Sequence, residues 1–268
     1  MKQRNIGRSG LKVSHLGLGT MTWGKETDAD EAAALLVAFR DAGGTLVDTA
    51  RTHGYGEAER ILGQLIADVV PRSELVIATK AGIVRTPEDR IVDASRGALL
   101  SGLEQSLRQL GVDHIDLWYV HYVDDAVPFE ETMGALDAAL ASGKVRYVGV
   151  SNYCGWRLGR AATWQRAVPG RAPIVANQVR YSLLDRGVER EVIPAAHALG
   201  VGILPYSPLG GGVLTGKYRA GVPADSRAAA GDRTIAPMNR AGAAGVVEAV
   251  ATAADGLATT SVAVALSW

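Results

Sequence analysis

The chain alternates between two hydrophobic patterns. Short runs of leucine and β-branched residues recur along it, and most are followed by a longer segment that is apolar on one face only. The short runs predict strands and the longer segments predict helices. The predicted strands are residues 15–20, 45–50, 75–80, 114–121, 145–152, 173–178 and 201–207. The predicted helices are residues 28–42, 57–68, 95–110, 128–142, 156–167, 189–199, 245–255 and 261–268.

The predicted strands are continuous apolar runs, which is the pattern of parallel strands that are covered on both faces. Strands that alternate with helices of about 10–16 residues indicate repeated right-handed βαβ units. Seven such strands favour an α/β fold of the TIM type, a (β/α)8 barrel. A doubly wound open sheet is the alternative, but no G-x-G-x-x-G motif follows the first strand.

The predicted pattern departs from a plain barrel at both ends of the sequence. Residues 1–14 predict an N-terminal β-hairpin, with the turn residues Gly7-Arg8-Ser9-Gly10 between its strands. The pattern contains no eighth strand, and a barrel of seven strands leaves two unpaired edges. We therefore expect a single barrel domain over residues 1–268 that is incomplete at its C-terminal end.

Each of the seven predicted strands carries polar side chains at or close to its C-terminal end. These are Thr20, Asp48, Lys80, His121, the pair Ser151-Asn152, Gln178, and the pair Tyr206-Ser207. In a parallel barrel the C-terminal ends of the strands meet at one mouth, where the active sites of such barrels lie. The strand ends therefore predict one shared active site.

Two connections are longer than a barrel turn requires. Residues 210–239 contain Gly210-Gly211-Gly212 and a stretch rich in alanine and glycine, which indicates a lid or clamp. Residues 81–93 are predicted to line the substrate side of the mouth.

Composition narrows the class of protein. Hydrophobic residues make up 47% and charged residues 21% of the 268 residues, an ordinary globular balance. The 28 basic and 28 acidic residues give a formal net charge of zero, so we expect neither a nucleic acid nor a membrane surface as a partner. The single cysteine, Cys154, fits a reducing compartment. Because no leader pattern follows Met1 and no apolar run is long enough to span a bilayer, we expect a cytoplasmic protein.

Several motifs occur together in an order that resembles the aldo-keto reductase superfamily, in particular its bacterial members related to the potassium-channel β-subunit. The motifs are LGLGTMTWG, LVDTA followed by G-x-G-x-x-E (Gly54, Gly56, Glu59), ATK, the strand-end His121, GVSN, NQ and YSPLGGGVLTGKY. The resemblance covers essentially the whole chain. It implies an NAD(P)H-dependent oxidoreductase with a small-molecule substrate and no metal, either a monomer or a homo-oligomer.

The resemblance also implies a nicotinamide cofactor bound without a Rossmann motif, NADPH rather than NADH. Ser151, Asn152 and Gln178 would hold its carboxamide. Tyr206 would stack on the nicotinamide ring. The pyrophosphate would lie against a glycine-rich loop, because glycine lets backbone N–H groups approach a phosphate closely. The remaining residues of the implied cofactor site are Gly19, Thr20, Met21, Asp48, Ser207, Pro208, Leu209, Gly210, Gly212 and Lys217.

Four catalytic positions are implied, which in the family carry Asp, Tyr, Lys and His. Three of them match as Asp48, Lys80 and His121, but the tyrosine position, five residues after the aspartate, is His53. In the family arrangement a phenol protonates the carbonyl oxygen, and a lysine paired with the aspartate lowers the pKa of that phenol. A positive neighbour favours the neutral imidazole, which is a very weak acid at pH 7 but can still donate a hydrogen bond.

Three functions are compatible with this departure. The first is NAD(P)H-dependent carbonyl reduction, with His53 as acid/base or as a polarising donor. The second is a cofactor-retaining enzyme that performs an elimination or a double-bond reduction. The third is a regulatory module that binds the cofactor without turnover. Tyr55 is a further candidate acid, although it would need a backbone shift to replace the missing phenol.

Overall fold

The computed structural model describes residues 1–85, 89–231 and 233–268. Within these residues the chain forms two compact units. The first unit comprises Met1–Asn177 and Ala195–Ile203, and the second comprises Gln178–Pro194 and Leu204–Trp268. The expectation of a single domain over residues 1–268 stays a prediction.

Strands and helices alternate through most of the described residues. The strands are β1 Gln3–Asn5, β2 Lys12–Ser14, β3 Gly17–Gly19, β4 Leu46–Asp48, β5 Val76–Ala81, β6 Ile83–Arg85, β7 Arg90–Val92, β8 Ile115–Val120, β9 Val145–Ser151, β10 Ile174–Arg180 and β11 Gly202–Tyr206. The α-helices are α1 Ala29–Asp41, α2 Glu57–Asp68, α3 Arg96–Leu110, α4 Phe129–Ala141, α5 Gly155–Arg166, α6 Val192–Leu199, α7 Ala243–Gly256 and α8 Ser261–Ser267.

Seven of the strands form one sheet, in the order β3-β4-β5-β8-β9-β10-β11. The pairings from β3 to β9 are parallel, with Asp48 opposite Ala78 and Lys80 opposite Tyr119. The strand order follows the chain without reversal, whereas a doubly wound sheet reverses its order at a switch point. The predicted fold of the (β/α)8 type is therefore confirmed. In the part of the chain that the structure describes, the barrel sheet has seven strands and no eighth.

The predicted N-terminal hairpin is confirmed as the antiparallel pair β1–β2, in which Arg4 lies opposite Val13. Its turn is fixed against the segment that follows α6, because the backbone N–H of Arg8 donates to the carbonyl oxygen of Gly200 at 2.8 Å. Gly7 has a φ of +53°, and a Cβ at that position would lie 2.4 Å from the same oxygen. Only glycine allows this close approach.

The helix boundaries follow from capping residues that are visible in the sequence. The side chain of Asp28 accepts from the backbone N–H of Glu31 at the start of α1, and Ser95 accepts from Ala98 at the start of α3. Gly111 ends α3 in the left-handed conformation, at a φ of +63°.

Helix α6 begins at Val192, three residues later than predicted, after a short 3-10 turn at Gly187–Glu189. Pro194 explains the difference, because proline has no N–H for an interior helical bond but is tolerated in the first turn.

The predicted substrate-side connection 81–93 contains the antiparallel pair β6–β7, with Val84 opposite Ile91. The predicted lid 210–239 contains 3-10 helices at Gly210–Thr215 and Arg233–Asn239. Residues 86–88 and 232 of these two connections lie outside the described residues. That residues 81–93 line the active-site mouth and that residues 210–239 act as a lid or clamp stay predictions.

Each unit has its own apolar core. In the first unit, buried residues of the sheet such as Ile77 and Trp118 pack with Leu62 of α2 and Leu103 of α3. In the second unit, a smaller cluster joins the segment after β11 to the last two helices; its buried members are Leu184, Val213, Leu214, Ala243, Val250 and Ala265.

In the described ranges no single helix is long and apolar enough to cross a bilayer, and α7 with α8 meets that condition only as a pair that is bent by 104°.

Candidate active site

The first unit brings several of the predicted site residues to one edge of the sheet. Asp48 is the last residue of β4, Lys80 lies one residue before the end of β5, and Ser151 is the last residue of β9. His121 follows β8 directly, and its backbone N–H donates to the carbonyl oxygen of Ala81 at 2.8 Å. The parallel register therefore aligns these strand ends on the same side.

The centre of this edge is an ion pair between Lys80 and Asp48. The Nζ atom of Lys80 donates to Oδ2 of Asp48 at 2.7 Å and to the carbonyl oxygen of Thr49 at 2.8 Å. The lysine side chain is 2% exposed and the aspartate side chain is 20% exposed. A buried ammonium is costly unless it is paired and hydrogen-bonded. The partially exposed carboxylate therefore places the pair between the core and the open edge of the sheet.

His53 lies on a tight turn that leads into α2. The turn His53–Gly56 has left-handed backbone angles at three successive residues, with φ of +54° at Gly54, +59° at Tyr55 and +95° at Gly56. A tyrosine rarely adopts this conformation. Tyr55 is 63% exposed, and the ammonium of Lys25 lies 5.9 Å from the centroid of its ring.

A hydrogen-bonded cluster surrounds the ends of β8 and β9. The Nδ2 atom of Asn152 donates to the carbonyl oxygen of His121 at 3.2 Å and to the hydroxyl of Ser151 at 3.0 Å. Asn152 has a φ of +61°, a conformation that asparagine tolerates better than most residues. The His121 ring stacks on the ring of Tyr122, with 5.3 Å between their centroids. Asn152 is thus fixed next to His121.

The segment after β3 contacts the ion pair through its backbone. The N–H of Thr20 donates to the carbonyl oxygen of Asp48 at 3.0 Å, and the N–H of Trp23 donates to the carbonyl oxygen of Thr20 at 3.0 Å. Thr20 is fully buried, whereas Gly19 and Met21 are exposed. Of the three predicted residues here, Thr20 is therefore the one that supports Asp48.

The remaining predicted residues belong to the second unit. Gln178 lies in β10 and is buried, and Tyr206 is the last residue of β11. The guanidinium of Arg180 lies 5.9 Å from the centroid of the Tyr206 ring. The loop after β11 continues through Ser207, Pro208 and Leu209 to Gly210, Gly212 and Lys217.

The glycine-rich part of this loop is a tight left-handed turn. Its successive φ angles are +60°, +72° and +97° at Gly210, Gly211 and Gly212. A Cβ at Gly212 would lie 3.3 Å from Cε and 3.5 Å from Nζ of Lys217, so the lysine packs against the bare backbone. The N–H groups of Gly210 and Gly212 already donate to carbonyl oxygens within the loop, at 2.9 and 3.1 Å. The positive group that this loop presents is therefore the exposed ammonium of Lys217.

Tyr119 is a feature of the first unit that the sequence did not single out. Its side chain is fully buried, and the Lys80 ammonium lies 5.8 Å from the centroid of its ring. Tyr119 lies on β8, two residues before His121, which follows the strand, so the strand period of two was an available signal. The aromatic ring lies next to the buried charge, where a cation–π attraction is favourable.

Comparisons with known proteins agree with this geometry. The chain matches the Aldo/keto reductase family over residues 15–268. It is 40% identical over 229 residues to the uncharacterized oxidoreductase YrpG of Bacillus subtilis (strain 168), across 81% of this chain and 69% of that protein. It is 39% identical over 234 residues to a probable voltage-gated potassium channel subunit beta of Oryza sativa subsp. japonica, across 85% and 70%. It is 37% identical over 233 residues to L-glyceraldehyde 3-phosphate reductase of Escherichia coli (strain K12), across 85% and 67%.

The matched region includes all of the candidate site residues in both units, and members of this family use nicotinamide cofactors. The parallel strand order and the polar strand ends agree with that match. The chain therefore belongs to the aldo/keto reductase family and is an oxidoreductase.

Proposed function

We propose that the protein catalyses NADPH-dependent reduction of a carbonyl group, or of a related unsaturated group, in a small-molecule substrate. The buried Lys80–Asp48 ion pair carries the proposal, because it places a fixed positive charge at the edge of the sheet that also bears His121. When bound, the nicotinamide supplies a hydride. The protein must then stabilise the negative charge that develops on the substrate oxygen.

Each catalytic side chain has a distinct proposed role. The ammonium of Lys80 stabilises developing negative charge, and Asp48 keeps that ammonium charged and oriented. His121 orients the carbonyl oxygen through a hydrogen bond. His53 donates a hydrogen bond to the same oxygen, which polarises the carbonyl but supplies a proton less readily than a phenol does.

Each of the two units contains proposed cofactor contacts. In the first unit, Ser151 and Asn152 would hold the carboxamide, and the segment Gly19–Met21 with Asp48 would lie near the nicotinamide. In the second unit, Gln178 would complete the carboxamide contacts. Tyr206 would stack on the ring of the nicotinamide.

The pyrophosphate is assigned to the loop Ser207–Gly212 together with Lys217. The left-handed glycine turn and the packing of Lys217 against Gly212 support a site for an anionic group. Since Gly210 and Gly212 donate their N–H groups within the loop, Lys217 is the main proposed phosphate contact. NADPH is proposed rather than NADH because it is the typical cofactor of the family.

The histidine at position 53 favours a second candidate function, in which the protein retains the cofactor but does not perform ordinary carbonyl reduction. This class includes elimination, double-bond reduction and a binding role without turnover. The similarity to a probable channel subunit beta supports the last of these.

Replacing His53 by tyrosine separates the two candidates. A large gain in aldehyde reduction would favour the second candidate, in which the natural function lies outside plain carbonyl reduction. Restoring the phenol of the family at this position should raise kcat/KM for a generic aldehyde by about 10²–10⁴-fold, the usual contribution of general acid catalysis. The control is His197→Tyr on the exposed surface of α6, which should change nothing. NADPH affinity is measured for each variant by calorimetry. A native protein that is already fast and becomes slower with tyrosine would show that His53 is a competent acid.

Tyr206→Ala tests the proposed cofactor site. Loss of a stacked ring should weaken NADPH binding by about 1–2 kcal/mol. Tyr206→Phe keeps the ring and should bind almost as tightly as the native protein. Calorimetric Kd values that are equal in all three proteins would assign Tyr206 to the core instead.

Asp48→Asn tests the ion pair in the free protein. Removing the carboxylate leaves a buried ammonium without its counter-ion, which should lower the free energy of unfolding by about 3 kcal/mol. Asp125→Asn is the matched control, since Asp125 pairs with Arg157 at 2.9 Å but its side chain is 81% exposed. That exposed pair should contribute less than about 1 kcal/mol. Urea unfolding that gives equal losses for both variants would contradict the proposed cost of the buried charge.

A further inference from the structure

Glu59 is a buried carboxyl group that has no role in the proposed reaction. It is the last residue of the G-x-G-x-x-E motif, lies in the first turn of α2 and is 0% exposed. The hydroxyl of Thr79, which is also 0% exposed, donates to Oε1 of Glu59 at 2.6 Å. Burying a carboxyl group between a helix and a sheet is costly, so its presence there requires an explanation.

The hydrogen bond joins two segments that carry proposed site residues. Helix α2 begins directly after the turn His53–Gly56, so Glu59 lies at the base of that turn. Thr79 precedes Lys80 on β5, and the side chains of neighbouring strand residues point to opposite faces. The bond therefore ties the His53 turn to β5 from the helix-facing side of the strand.

The turn needs such a tie because its backbone is strained. Gly54, Tyr55 and Gly56 are left-handed in succession, and one of them is not glycine. A conformation of this kind persists only where the surrounding structure determines it. Without external contacts the turn would populate other conformations, and the position of His53 would vary.

Arg51 supplies a second tie on the same segment. Its Nη1 donates to Oε1 of Gln105 on α3 at 2.8 Å, and its Nη2 donates to the carbonyl oxygen of Ile83 at 2.8 Å. Beyond the contacts that Lys80 makes with Asp48 and Thr49, Arg51 and Glu59 thus also hold the segment that leads into α2.

The electrostatics link Glu59 to the same ammonium as Asp48. Burial raises the pKa of the Glu59 carboxyl above its ordinary value, and the hydroxyls of Thr79 and Ser106 and the positive charges of Arg51 and Lys80 offset only part of that rise. The carboxyl therefore holds a proton more readily than an exposed glutamate does, even with the charge on Lys80 acting against it.

We propose that Glu59 is a positioning residue, which through Thr79 fixes the His53 turn against β5 and so sets the position of His53 relative to Lys80. The consequence for turnover rests on the function proposed above, whereas the consequence for the turn concerns the free protein alone.

Thr79→Val tests the tie, because valine has nearly the shape of threonine and lacks the donor. Amide hydrogen exchange of residues 53–59 should accelerate by about tenfold, the factor for one lost hydrogen bond. Thr79→Ser keeps the hydroxyl and should exchange like the native protein. Glu59→Gln keeps an acceptor and should show a smaller acceleration of exchange than the valine variant. If Thr79→Val does not fold, the exchange rates of Glu59→Gln and Thr79→Ser are compared instead.

Thr132→Val is the matched control. Thr132 is 5% exposed and donates to the carbonyl oxygen of Ala94 at 2.9 Å, so the variant loses an equally buried hydroxyl bond elsewhere in the first unit. It should leave exchange in residues 53–59 unchanged.

Aldehyde reduction is then measured in the form that turns over, native or His53→Tyr. Thr79→Val should lower kcat by about tenfold with little change in KM, since it displaces a reacting group rather than a binding contact. Thr132→Val and Thr79→Ser should not. Accelerated exchange throughout the first unit, or none in residues 53–59, would overturn the inference. Localised acceleration in a protein that reduces no aldehyde would refute the proposed function and leave the positioning of the turn established.

Discussion

A lysine ammonium that is almost completely buried must be compensated, and much of the local structure of the first unit serves that requirement. Lys80 donates to Asp48 and to the carbonyl oxygen of Thr49, and the ring of Tyr119 lies beside it. These partners come from β4, from the residue that follows it and from β8. The charge therefore constrains how three strands are placed at the edge where the predicted site residues lie.

The same constraint explains why His53 matters. The turn that carries His53 begins five residues after Asp48 and leads into α2, whose first turn is bonded to Thr79. The ion pair between Lys80 and Asp48 is present with histidine at position 53, and in the proposed function an imidazole stands where the family has a phenol. In the proposed function His53 takes the place of the family phenol, and the activity would then depend on how the imidazole responds to the charge on Lys80.

Much of the fold was predictable because its signals are local. Continuous apolar runs, the caps Asp28 and Ser95, and the stop at Gly111 determine elements within a few residues. The late start of α6 was also readable, since Pro194 restricts where the helix can begin. The pair β6–β7 was not predicted, because its strands lie outside the seven-stranded sheet and lack the continuous apolar runs of the core strands.

The candidate site was only partly predictable. Strand-end position was enough to bring Asp48 and Lys80 together, because parallel register aligns such ends. The bond between Glu59 and Thr79 depends on how a helix packs on a strand, and the internal bonds of the Gly210–Gly212 loop depend on its exact backbone angles. Neither leaves a periodic trace in the sequence.

The most direct test is an NMR titration of the His53 ring in the native protein and in Lys80→Met. If the ammonium acts on His53, its removal leaves the Asp48 carboxylate uncompensated, and both changes favour the imidazolium. We expect the midpoint of the His53 titration to rise in Lys80→Met. An identical midpoint in the two proteins would show that His53 is not coupled to the ion pair and would contradict the proposed effect of the Lys80 charge on His53.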